Sequence, residues 1–176
     1  MEDINLTKVI IATVIALAIL FVGNFLINDY RVEYQLREQL ESLPQVKKVK
    51  VSQEQDYKLD ILLGQINDLQ EVNLEIREKA KKILGTANYQ LQLRGVNSSN
   101  LKKIYNKINL ALYESLVTGK YTKFGAEVEK YKQQYNLKKA EVKVDHSYIY
   151  LTLVDDRGAL YQVLSRNKVK VGDRNG

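Results

Sequence analysis

Hydrophobic and polar positions change their period several times along the chain, and each change marks an element. Residues 9–27, VIIATVIALAILFVGNFLI, contain no charged side chain. At 1.5 Å per residue such a run spans about 28 Å of helix, close to a bilayer's hydrocarbon core. A transmembrane helix is expected there. A cleaved signal peptide would want a basic start, a shorter apolar run and a small-residue exit. Here Glu2 and Asp3 stand against Lys8, and NFLINDY offers no such exit. The helical period continues over 30–43, where Val32, Leu36, Leu40 and Leu43 fall four, four and three residues apart on one apolar stripe. Pro44, the only proline, stops it. This stripe is a candidate helix–helix contact, open to self-association or to cover by the domain that follows.

Alternation with period two then takes over. Val49 and Val51 alternate with Lys48 and Lys50, and Tyr57, Leu59, Ile61 and Leu63 alternate with Lys58, Asp60 and Leu62. Two strands, 45–52 and 57–63, joined by the polar link QEQD, read as a hairpin. Asn67 or Asp68 can cap a helix whose inner face is Leu69, Val72, Ile76, Ala80 and Ile83, with Gly85 at its end. A third strand is expected over 89–94. Ser98 and Ser99 cap a helix carrying Leu101, Ile104, Tyr105, Ile108 and Leu112, which Gly119 closes, and a further helix over 121–135 presents Phe124, Val128, Tyr131 and Tyr135. Strands follow at 139–145, 148–154 and about 159–166.

The predicted order is α-β-β-α-β, then α-α-β-β-β. The expected fold is α+β: a transmembrane helix, then a mixed or antiparallel sheet of about six short strands in two α/β halves, covered on one face by amphipathic helices. The expected boundaries are a short tail over 1–8, the span over 9–27 and a juxtamembrane helix over 28–43. A first half over 44–96, a second over 97–166 and a basic tail over 167–176 complete the chain. Residues 33–94, with Leu43-Pro44 followed by Val46, Val49 and Val51, resemble the small ring-building modules of membrane-anchored secretion and sporulation proteins. In those a helix, a hairpin, a second helix and a third strand form a wedge. The resemblance implies an assembly or scaffolding role. The second half departs from that pattern.

Composition narrows the chemistry. With no Cys and one His among 176 residues, disulfides, thiolate zinc, iron–sulfur clusters, Cys nucleophiles and multi-histidine metal sites are excluded. No cofactor or metal is expected. Asp145-His146-Ser147 holds the residue types of a hydrolytic triad, but adjacent positions cannot assemble one, and the trio is turn chemistry between two strands. Asp155-Asp156-Arg157-Gly158 is likewise a turn in which Gly tolerates positive φ. Gly119-Lys120 lacks the rest of a phosphate-binding loop. Asn5-Leu6-Thr7 and Asn97-Ser98-Ser99 match the glycosylation acceptor pattern at chance level.

Charge and tyrosine carry the remaining signal. The chain has a formal net charge of +6; one of its 27 Lys/Arg and two of its 21 Asp/Glu precede residue 28, which leaves about +7 beyond it. The charges are dispersed, as on a solvated surface, with anionic lipid head groups or wall polymer as alternative partners. No recognition motif supports nucleic-acid binding. All twelve Tyr lie beyond residue 27. Tyr148, Tyr150 and Thr152 share one face of a strand, opposite Ile149, Leu151 and Leu153. If the aliphatic face packs on helices, the tyrosine face is the open one and a candidate partner surface.

The expectation is a single-pass, non-enzymatic protein of the bacterial cell envelope, its α+β domain outside the cell membrane and working as a structural or protein-interaction module. An anionic-ligand module is the alternative. The eight-residue tail favours that orientation, whereas Lys8 against Arg31, Arg37, Lys47, Lys48 and Lys50 pulls towards a cytoplasmic domain.

Overall fold

A long helix, α1 (Leu6–Glu41), leads into a hairpin of β1 (Val46–Gln53) and β2 (Tyr57–Leu63). The helix α2 (Leu69–Leu84) then crosses to β3 (Tyr89–Arg94), which pairs parallel with β2. Two consecutive helices, α3 (Ser99–Thr118) and α4 (Tyr121–Gln134), precede an antiparallel meander of β4 (Lys139–Val144), β5 (Tyr148–Val154) and β6 (Ala159–Ser165), closed by a 3-10 turn over Arg166–Lys168. The computed structural model describes residues 6–96 and 98–168. Both ends of the expected tails, 1–5 and 169–176, lie outside them.

The local chemistry accounts for the boundaries. Asp68 caps α2 by accepting from the Gln70 and Glu71 amides, and Ser98 caps α3 by accepting from Leu101 N–H. Gly119 ends α3 in the left-handed region at φ 71, where a side chain would be strained.

The membrane span expected over 9–27 is not supported, and the fold class is corrected accordingly. Among the described residues, no helix is long and apolar enough to cross a membrane. The side chains at 9, 10, 12 and 19–27 of the expected span lie outside the described ones. From residue 30 onward α1 carries Arg31, Glu33, Arg37, Glu38 and Glu41 and buries its apolar stripe against protein.

A second correction concerns the sheet. All six strands form, but as two three-stranded sheets, β1-β2-β3 and β4-β5-β6, rather than one. One core joins the end of α1, the inner face of the first sheet and α2; it also takes in Tyr150, Ala159 and Tyr161 from the second sheet. The other core packs α3 and α4 on Ile149, Leu151, Leu153 and Leu160. The second sheet is therefore covered on both faces, by helices on one side and by the first half on the other. Full burial of an aliphatic side chain contributes about 1.5–3 kcal/mol, and Leu36, Leu40, Ile61, Ile76, Ile108 and Leu151 are all fully buried.

The two halves touch most closely where β3 ends and β6 begins. Ala159 N–H donates to Val96 C=O at 2.9 Å. A Cβ on Gly95 would strike the Ala159 carbonyl, and one on Gly158 would strike the Val96 carbonyl. Gly158 is thus required for close backbone approach, and its φ is not positive. That corrects the turn-conformation reason expected for it.

Candidate functional site

From the junction at Val96 and Ala159, β3 and β6 diverge and leave a cleft of about 690 Å³ between the halves. Five consecutive residues of β3, Tyr89 to Leu93, and four of β6, Gln162 to Ser165, line it. A strand face exposes alternate residues, so consecutive lining means that strand edges border the cleft. The hydrogen bonds agree. Tyr57 N–H donates to Asn88 C=O, so the alternating backbone groups of Gln90 and Gln92 turn towards β2. Those of Tyr89, Leu91 and Leu93 turn away from it. On β6, Ala159 N–H points out to Val96 while Arg166 N–H points in to Ser147 C=O, so Tyr161, Val163 and Ser165 also face outward. Among the described residues, each sheet thus presents an unpaired edge, β3 in one and β6 in the other.

Arg77 on α2 lines the cleft. Its guanidinium stands 4.4 Å from the Tyr148 ring centroid and 6.0 Å from that of Tyr89, spanning a residue of each sheet. Its Nε donates to Asn73 Oδ1 at 3.2 Å. Among the described residues, no carboxylate lies within ion-pair distance of Arg77. The other lining charges are already engaged: Lys58 pairs with Glu54 at 2.7 Å, and Asp60 accepts a bidentate clasp from Arg94.

A polar chain continues inward from Arg77. Asn73, 1% exposed, donates from Nδ2 to Tyr150 Oη at 3.3 Å, and Tyr150 donates to Asp145 Oδ2 at 2.7 Å. The other Asp145 oxygen accepts from the Ser147 and Tyr148 amides, both at 2.7 Å, and Gln70 Nε2 also reaches this carboxylate. Burial alone would raise the Asp145 pKa; the bonds from Tyr150, Ser147, Tyr148 and Gln70 outweigh it and hold the carboxyl below its usual value. Burial, then the neighbouring Asp145, pushes the Tyr150 hydroxyl well above the ordinary phenol range. At the head of α2, Lys143 donates to Asp68 at 2.6 Å and lowers that carboxyl too.

The expected site residues find definite places. Tyr150 and Thr152 are each 3% exposed and Tyr148 is half-buried; their face meets α2 and the first half of this same chain, so it is not the open face of the sheet. Leu36, Leu40 and Leu43 are buried in the first core with Val32 packed against them, so the domain itself covers that stripe. Asp145-His146-Ser147 is the β4–β5 turn, with His146 exposed. Asp155 closes the β5–β6 turn through the Arg157 and Gly158 amides and accepts from Ser98 Oγ at 2.5 Å, which ties that turn to the α3 cap.

Sequence reading missed Gln70, Asn73 and Arg77. Their spacing of three and four along one side of α2 was the available signal: a polar stripe beside the apolar one, facing a strand whose polar side is tyrosine. Among the described residues, no group of three or more His, Asp or Glu could hold a metal ion. Beside the cleft, whose wall includes Tyr113, α3 leaves Leu110, Tyr113 and Val117 exposed at 77, 51 and 57%. The chain matches no protein-family model, and no curated protein or solved structure is significantly similar to it.

Proposed function

We propose that this α+β domain is a non-enzymatic protein-interaction module whose binding surface is the cleft between its halves. The observation that carries this is the pair of strand edges, β3 and β6, left unpaired among the described residues and bordering a cleft of about 690 Å³. Free edges are templates for pairing with another chain, and folded proteins commonly cover them. Here both open onto one cavity whose wall includes Tyr113, and on the same helix Leu110 and Val117 are exposed apolar surface of the kind that marks contact sites. The carboxylate in the lining, Asp60, is already paired with Arg94.

A photo-crosslinking residue at Gln92 or Gln162 of the full chain, in the cells that make it, tests this. Both positions line the cleft. They should capture the same segment of the same protein, while Lys130 on the outer face of α4 captures nothing discrete. Absence of any protein adduct at both cleft positions would overturn the proposal.

A further inference from the structure

The geometry points to an occupant for this cleft: an extended, acidic segment of a partner protein, which adds as a strand to the free edge of β3 and sets a carboxylate on Arg77. This rests on the reading of the domain as an interaction module and names the chemistry of what it binds. The outward backbone groups of Tyr89, Leu91 and Leu93 are spaced for an extended chain, which alone matches their two-residue repeat of donors and acceptors. A strand covering them needs about five residues, or roughly 16 Å at 3.3 Å per residue.

Charge selects the side chain. Arg77 is the lining cation to which the described residues bring no carboxylate, whereas Lys58 is paired with Glu54. The Tyr148 ring and the bond from Nε to Asn73 fix the plane of its guanidinium. A guanidinium held in one plane loses little freedom on taking a carboxylate in its bidentate fork. A lysine or neutral residue at the same place on the incoming strand gains no such contact.

The test uses the purified full chain and a labelled eight-residue peptide of alternating Thr and Val with one central Glu, read by fluorescence polarisation. Replacing that Glu by Lys should weaken binding about tenfold or more, the scale of one charge-assisted contact. N-methylation of alternate peptide amides, which removes ladder donors, should abolish it. Arg77→Gln should bring the Glu peptide to the level of its Gln counterpart, and Arg77→Lys should restore part of the difference. Should Arg77→Gln unfold, the two peptide-side comparisons on the unaltered chain decide alone. Equal binding of the Glu and Lys peptides, or full binding of the N-methylated one, would overturn the inference. If no peptide binds while Gln92 and Gln162 still crosslink one protein, the acidic strand falls and the interaction module stands. Loss of both removes both.

Discussion

Asn73 Nδ2 donates to Tyr150 Oη at 3.3 Å, a bond that spans 77 residues of chain and joins α2 of the first half to β5 of the second. Both residues are buried, so their polar atoms have each other and not water. The halves are held in register by specific partners as well as by apolar contact. Tyr150→Phe leaves Asn73 Nδ2 and Asp145 Oδ2 each short of a partner and should lower stability by about 1–3 kcal/mol in urea unfolding. Asn73→Ala should act through the same bond. A double-mutant cycle should therefore show a coupling of at least about 0.5 kcal/mol, where independent sites would add.

The carboxylates at the same boundary predict an acid limb. Asp68, Asp145 and Asp155 all have folded pKa values below the ordinary carboxylate value. A group with a depressed folded pKa contributes stability that is complete above its unfolded value, about 3.9, and is lost as pH falls through the folded one. Stability should thus hold between pH 7 and about 5 and fall below about 4. Asp145→Asn should be less stable than the parent at pH 7. The gap in urea midpoint should narrow at pH 3, where the parent's own carboxyl takes up a proton.

Glycine substitutions should split by position. Gly95→Ala and Gly158→Ala drive a Cβ into a backbone carbonyl at the junction. Each should cost about 2–4 kcal/mol, as overpacking against unyielding backbone does. Gly125 lies inside α4 with no atom near the place of a Cβ. Gly125→Ala should stabilise by about 0.5–1 kcal/mol through helix propensity. Thermal unfolding of the three variants separates close approach from mere flexibility.

The end of α1 belongs to the domain, since Leu36 and Leu40 are fully buried in its first core. Leu40→Ala should cost about 2–5 kcal/mol. A chain starting at residue 30 should retain the cooperative unfolding that one starting at residue 44 loses, as followed by circular dichroism.

Much of this was legible in the chain's periodicity. The alternation over Tyr57–Leu63 and the caps at Asp68 and Ser98 place those elements where the structure has them. Periodicity reports which residues share a face; it does not report what covers the face. Tyr148, Tyr150 and Thr152 read as a solvated side because tyrosine and threonine suit water as well as they suit a polar helix. The structure sets Asn73 and Arg77 against that side. The division into two sheets leaves β3 and β6 in contact at a junction where Gly95 and Gly158, residues 63 positions apart in sequence, permit close backbone approach. The span expected over 9–27 rests on an uncharged apolar run of 19 residues, whereas among the described residues no helix is long and apolar enough to cross a membrane. One arginine on a helix reads in sequence as solvated surface, and only the fold brings Tyr89 and Tyr148 to Arg77.

Residue-resolved amide hydrogen exchange of the full chain tests the free edges most directly. The amides of Gln90, Gln92 and Leu164, turned into their ladders, should exchange slowly. Those of Leu91, Leu93, Val163 and Ser165 should exchange orders of magnitude faster, then become protected when the cleft is filled. Slow exchange at these four amides in the free protein would mean the edges are already paired, and would contradict the cleft as a place for an incoming strand.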